Sequence, residues 1–417
     1  MGIGYACLAA GVPQTEMKSL TLASVSEKTL MDTCRTNIAH LKNLITYTKG
    51  QGIELFRISS DLIPFGSSVA NTLPWWEVFA SELASIGVLA QEGGIRLSMH
   101  PGQYTVINSP NKSVVDNAIA DLLYHARVLA SLGCTPDAKI ILHIGGGYGD
   151  KEAASRRFIT VYRSLPHEVR QRLVIENDDK LYTIGEVLAI AEKAGCPAVF
   201  DNLHHAINPG REALTEREWM LQCASTWKPG DGRQKIHYSQ QDPTKRAGSH
   251  SPSIALDEFL LFYEGLSGLS IDIMLEVKDK NISALKCMHA TSGATREQLE
   301  AQWQRYRPLV HERDPAMVWE IKELLQGGGD GQSLGVAFYR LLERILAMEV
   351  SRPQAVITAE TVAKQCIRTP TEGRRIDKRI AAYKRAEIPL DKLKQSILTL
   401  ANNHAVDEVL TSYYFMM

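Results

Sequence analysis

Eight short apolar runs recur along this chain, each separated from the next by a longer segment with helical periodicity, and this alternation restricts the fold more than any other feature. The runs are Ile3 to Cys7, Ile53 to Ile58, Ile95 to Met99, Ile140 to Leu142, Leu173 to Ile175, Ala198 to Phe200, Lys235 to Tyr238 and Ile271 to Leu275. The spacing between them predicts helices over Glu27 to Lys49, Trp75 to Gln91, Val114 to Leu132, Glu152 to Ser164, Ile184 to Ala194, Glu216 to Thr226 and Ile254 to Tyr263. Strict β/α alternation implies parallel strands joined by right-handed crossovers, which either close as a barrel or open as a doubly wound sheet. Eight units favour an α/β fold of one kind, a single (β/α)8 TIM barrel. The first βα connection has no GxGxxG, so no nucleotide cofactor is expected. The segment His143 to Lys151 lacks the spacing of a phosphate loop, and Gly327 to Gly331 reads as a linker or turn.

The 417 residues exceed the roughly 250 that such a barrel needs. Beyond about Val310 the alternation stops, so residues 1–310 are expected to form the barrel and residues 311–417 a mainly helical, partly basic extension. Residues 351–417 carry 11 Lys/Arg against 7 Asp/Glu in a chain of formal net charge −1, with a basic stretch from Arg368 to Lys394. Such a stretch is either a solvated face or a contact to DNA phosphates, and composition leaves both open. All strands precede it, so removal of 351–417 is expected to leave the barrel folded.

Hydrophobic residues at 44% and charged residues at 22% are those of an ordinary globular chain. No apolar run approaches the ~20 residues that span a bilayer. The opening MGIGYACLAAG lacks the basic start of a secretory signal and reads as a first strand. A cytoplasmic location follows as the expectation, associated with the nucleoid in a bacterium. The seven cysteines are odd in number and contain no CxxC, so reduced thiols are expected, with neither a disulfide framework nor a zinc ribbon.

Catalytic groups of β/α barrels sit at the C-terminal ends of the strands. Here the third run is closed by His100, the fourth by His143, the fifth by Glu176, the sixth by Asp201 with His204 soon after, and the eighth by Glu276, while the seventh contains His237. Alone, each reads more readily as a hydrogen-bonded strand end or a helix cap. Together at one mouth they would be costly to bury unpaired, and divalent metals remove that cost. Imidazole and carboxylate without thiolate suit Mn²⁺ or Zn²⁺. Fold and ligand types alone leave the reaction open between sugar isomerases and endonucleases.

Local motifs narrow the choice. Phe56 to Phe65 (FRISSDLIPF), Ser98 to Tyr104 (SMHPGQY) continued by Thr105 to Pro110, Leu142 to Gly146, Val174 to Asp178, Phe200 to His205, Lys235 to Ser239, Ser249 to Ser251 and Met274 to Lys280 together resemble the UV damage endonucleases, in family order across residues 1 to 285. The resemblance implies a multinuclear site whose ligands are His100, His143, Glu176, Asp201, His204, His237, His250 and Glu276, with Mn²⁺ expected and Mg²⁺ or Zn²⁺ as alternatives. It implies catalytic roles for Glu176, Lys235 and Glu276, Lys235 matching a lysine that can be carboxylated. Gln103 and Tyr104 match a pair that probes the duplex at a lesion, and Tyr5 a first-strand tyrosine near the same pocket. Two departures stand out: Ser68 lies near the place of a family histidine, and Ala9 and Ala10 stand where an asparagine is common.

The activity so implied is metal-dependent hydrolysis of the phosphodiester 5′ to a lesion in double-stranded DNA, leaving a 3′ hydroxyl and a 5′ phosphate, by a monomer with no membrane partner. The rivals are a sugar isomerase or epimerase on the same barrel and a non-catalytic damaged-DNA-binding protein.

Overall fold

Each apolar run folds as a strand because a parallel sheet covered by helices buries both faces and so favours unbroken β-branched and aliphatic residues. The protein is a computed structural model that describes residues 1–327, 329 and 331–416. Its barrel elements run β1 (Ile3–Ala6), α1 (Glu27–Gly50), β2 (Leu55–Ile58), α2 (Trp75–Val78), α3 (Ala80–Glu92), β3 (Arg96–Met99), α4 (Lys112–Ser131), β4 (Lys139–His143), α5 (Lys151–Ser164), α6 (His167–Arg170), β5 (Leu173–Glu176), α7 (Ile184–Ala194), β6 (Ala198–Val199), α8 (Asn202–Ile207), α9 (Glu216–Thr226), β7 (Gln234–Tyr238), α10 (Leu256–Gly265), β8 (Ile271–Leu275) and α11 (Asn281–Ser292).

The strands are parallel in the order β6-β5-β4-β3-β2-β1-β8-β7. The two outer strands also meet, where His237 N donates to Phe200 O at 2.9 Å and Asp201 pairs with His237. The sheet thus curls into a nearly closed TIM barrel, as the alternation predicts. At the strands' N-terminal ends Arg96 and Arg233 pair with Asp272, and Lys139 with Asp231. The opposite ends carry the His and acidic residues.

Local signals set the helix limits. Ser26 and Thr183 cap α1 and α7 through reciprocal capping boxes. The helix expected over Trp75 to Gln91 is two helices, because Phe79 leaves helical geometry (φ −111°, ψ 25°) as its ring is buried. Helices α6 and α8, of 4 and 6 residues, leave no mark in the hydrophobic periodicity, since one turn is too short for a period to register.

The chain divides into two compact units, one of residues 1–8, 14–254 and 261–284, the other of 9–13, 255–260 and 285–417. That division precedes the boundary expected at 310, because α12 (Arg296–His311) packs with α13 (Met317–Gln326), α14 (Gly331–Leu346) and α15 (Arg352–Cys366). The remaining helices are α16 (Pro370–Lys384), α17 (Leu390–Asn403) and α18 (Asp407–Leu410). Residues Ala359, Ile376, Leu393, Ile397 and Tyr414 form one buried cluster, and Lys394 Nζ donates to buried Glu312 at 2.9 Å. Residues 351–417 thus supply much of their own unit's core. The expected turn at Gly327 to Gly331 separates α13 from α14, with Gly328 and Asp330 outside the described residues. Among the described residues no helix is long and apolar enough to cross a membrane, and all seven cysteines are free, five of them buried.

Candidate metal centre at the barrel mouth

The eight side chains expected as ligands come together at the C-terminal ends of β3 to β8. Glu176, closing β5, sits at their centre. Its Oε1 lies 2.7 Å from His237 Nδ1 and 3.9 Å from His204 Nδ1; its Oε2 lies 3.2 Å from His100 Nε2 and 3.7 Å from His143 Nε2. Asp201 caps α8, accepting from His204 N at 2.7 Å. Glu276 lies 3.4 Å from His237 Nδ1 and 3.7 Å from His250 Nε2. Three overlapping triads place donor atoms within 4.8 Å of one another: His100, Glu176 and His237; Glu176, Asp201 and His204; Asp201, His237 and Glu276.

The electrostatics are those of a site built around added positive charge. Burial pushes the Asp201 carboxyl up to about 7, with His204 opposing and Glu176 and Glu276 reinforcing. Burial disfavours charge on His204, yet Asp201, Glu176 and Glu276 raise it to about 9. Burial also opposes ionisation of Glu176, but His237, His143 and His100 hold it well below the usual carboxylate range. Several buried polar atoms have no hydrogen-bond partner: His143 Nδ1, Asp201 Oδ2, His237 Nε2 and Lys235 Nζ. Orphaned imidazole nitrogens and a carboxylate oxygen, with no thiolate among them, fit a cluster of divalent cations.

Lys235 lies on β7 with its side chain fully buried. Burial, with Arg96 adding to it, pushes its ammonium well below the usual range, the direction that favours loss of its proton.

Gln103 and Tyr104 occupy the loop after β3, and Tyr104 is 73% exposed. The loop is fixed from outside the barrel by α4. Asp121 accepts from Thr105 Oγ1 at 2.6 Å, His125 Nε2 lies 2.9 Å from Ser60 Oγ, and Ser60 Oγ donates to the His100 carbonyl at 2.9 Å. Tyr5 is elsewhere. It has no exposed surface, its hydroxyl meets Thr48 of α1 at 2.8 Å, and its ring packs edge-on against Phe56. Tyr5 thus points under α1 and presents no surface at the mouth, unlike Gln103 and Tyr104, with which the resemblance groups it. Ser68 lies in an exposed turn, its Oγ accepting from Ala70 N at 3.2 Å.

Sequence reasoning missed Arg57, whose guanidinium pairs with Glu276, and the Asp121 and His125 support. Arg57 stands within the Phe56 to Phe65 motif, at the inward face of β2, and that placement was its available signal. Asp121 and His125 carry none, being polar residues on the buried side of an amphipathic helix.

The family model described as UV-endonuclease UvdE matches residues 1–301. A UV DNA damage endonuclease of Clostridium perfringens (strain 13 / Type A) is 40% identical over 323 residues, covering 75% of this chain and 77% of that protein. A UV DNA damage endonuclease of Bacillus cereus (strain Q1) is 33% identical over 269 residues, covering 64% of this chain and 84% of that protein. The crystal structure of SacUVDE superposes with a TM-score of 0.65 at 38% identity, covering 69% of this chain and 96% of that chain.

Proposed function

Because this chain belongs to the UV-endonuclease UvdE family, we propose that it hydrolyses the DNA phosphodiester on the 5′ side of a lesion, leaving a 3′ hydroxyl and a 5′ phosphate. The observation that carries this reading is the meeting of His100, His143, His204 and His237 around the two oxygens of Glu176. Divalent ions held there, Mn²⁺ by our reading with Mg²⁺ or Zn²⁺ as alternatives, supply Lewis acidity that acidifies water and neutralises charge on the phosphate.

The protein's own groups divide the remaining work. Glu176 presents its two carboxylate oxygens toward different imidazoles and would help hold ions on both sides of the carboxylate. His143, Asp201, His204, His250 and Glu276 complete the ligand set, and Arg57 orients Glu276. Lys235, whose burial favours loss of its proton, would take up CO₂ with loss of a proton to give a carbamate, an anion that would help hold the cations. Gln103 and Tyr104 fill the space left by unstacked bases at the lesion, where the duplex is easiest to deform.

All eight ligands come from one chain, so a monomer completes the site. A substrate of damaged double-stranded DNA places the protein in the compartment that holds the chromosome. The sugar isomerase reading gives way to the family, and the meeting of all eight expected ligand residues argues against a purely DNA-binding role.

The test is nicking of UV-irradiated plasmid against an unirradiated control, with Mn²⁺, Mg²⁺ and Zn²⁺ in turn. Selective nicking with polymerase-extendable 3′ ends is expected. No excess nicking with any of the three ions would sink the proposal.

A further inference from the structure

Two neighbouring loops at the barrel mouth present a tyrosine in the same way. In the loop after β3, Tyr104 folds back over Gly102: a Cβ on that glycine would lie 2.4 Å from Tyr104 Cε1. In the loop after β4, Tyr148 folds back over Gly146, where a Cβ would lie 2.8 Å from Tyr148 Cζ. Each ring thus lies against a glycine two residues before it, and each stays in solvent, Tyr104 at 73% and Tyr148 at 46% exposed. The loops are tied together, since Asn108 Nδ2 donates to the Gly146 carbonyl at 2.8 Å.

Three features set Tyr148 apart from an incidental surface aromatic. Its φ is +51°, a left-handed conformation that is unfavourable for a bulky side chain. Glycine occupies both flanking positions, so the loop could have placed glycine here at no conformational cost, and the tyrosine holds the strained place instead. Arg157 stands behind the ring, its guanidinium carbon 5.5 Å from the centroid, while its Nε donates to the Asn108 carbonyl at 2.9 Å. A glycine bed and a cation set the ring's orientation, and the loop before Asp150 ends where the Asp150 side chain caps α5.

We propose that Tyr148 is a second base-stacking residue, which receives a nucleobase or sugar of the DNA flanking the lesion while Tyr104 occupies the lesion itself. The assignment rests on the endonuclease reading of the site. An exposed aromatic face held by the loop suits a flat nucleobase, since stacking is tolerant of sequence. The cation near the ring adds attraction for the negatively charged strand.

The experiment measures affinity of the metal-loaded full chain for UV-irradiated and intact duplexes at one salt concentration, for wild type, Tyr148→Phe, Tyr148→Ala and Tyr148→Gly, beside thermal melting of each. Tyr148→Phe should bind as wild type does. Tyr148→Ala should bind the damaged duplex roughly 10-fold more weakly, as the removal of one stacking partner implies. Tyr148→Gly should show the same loss of affinity with no loss in melting temperature, because glycine relieves the left-handed strain; a merely structural tyrosine would not separate these readouts. Wild-type affinity in both Tyr148→Ala and Tyr148→Gly, with wild type still nicking damaged plasmid, overturns the role of Tyr148 alone. Failure of wild type to nick overturns the endonuclease reading and this assignment with it.

Discussion

Glu176 and His237, 61 positions apart in the chain, meet at 2.7 Å between carboxylate Oε1 and imidazole Nδ1. The contact joins β5 to β7 across the mouth of the barrel, and the other oxygen of the same carboxylate faces His100 and His143. Glu176→Gln keeps the volume and removes the charge. Metal content per chain should fall, and nicking should drop by about 100-fold or more, in the range of losses seen when groups that tune a metal site are removed. DNA affinity should largely survive. Near-normal turnover in this variant would take Glu176 out of the site.

Gln103 and Tyr104 project from a loop that Thr105 and the His100 carbonyl anchor. Replacing both with alanine should weaken binding to damaged duplex by roughly 10- to 100-fold, from about 1–3 kcal/mol of lost stacking. Binding to intact duplex should change little, since phosphate contacts dominate there. Equal loss on the two duplexes at fixed salt would show that this pair does not read damage.

His289 gives a pH dependence. Burial lowers it to about 4 from the usual 6.5, with its Nδ1 2.9 Å from Tyr339 OH. A depressed folded value means that the unfolded chain takes up the proton first, so its contribution to stability is complete above pH 6.5 and is lost as pH falls toward 4. The full effect is on the order of 3 kcal/mol. Melting temperature followed from about pH 7 down to about pH 4.5 should fall less steeply in His289→Gln than in wild type.

Truncation after Val350 tests the core of the second unit. It removes Lys394, which meets fully buried Glu312 at 2.9 Å, and leaves that carboxylate with Arg313 at 3.2 Å as its remaining cation. The loss of one partner of this buried pair adds to the loss of the cluster around Ala359, Ile376 and Leu393, which the truncation removes entirely. Limited proteolysis of the truncated chain should therefore cut within residues 285–350 under conditions where the full chain is resistant.

Helix α16 exposes Arg374, Arg375, Lys378 and Arg379. Cations nearby are neutralised, Lys384 by Glu360 and Arg385 by Glu387, whereas Arg374 donates to the uncharged Thr371 hydroxyl. If this face touches DNA phosphates, changing the four to glutamine should flatten the plot of log affinity against log salt, by about 0.9 in slope for each phosphate no longer neutralised. An unchanged slope would leave it as a solvated face.

The barrel and the meeting of the His and acidic side chains at its mouth were legible in the amino-acid sequence because both depend on one-dimensional facts. Alternation fixes parallel strands, and parallel strands of a barrel all end on one side, so His100, His143, Glu176, Asp201 and Glu276 converge whatever the exact register. The rest depends on which way a side chain turns and on what lies across from it. Tyr5 shows the first: on a strand with a period of two, one position separates an inward from an outward residue, and only the register with β2 and the packing of α1 send its hydroxyl to Thr48. Arg57 shows the second, for its partner Glu276 is 219 positions away, and no local pattern encodes a pairing that the closing of the barrel creates. The second unit follows the same logic. Helical periodicity announced its helices, but the burial of Glu312 against Lys394, 82 positions apart, was decided by tertiary packing, because a buried charge is tolerable only where the fold brings it a counter-charge.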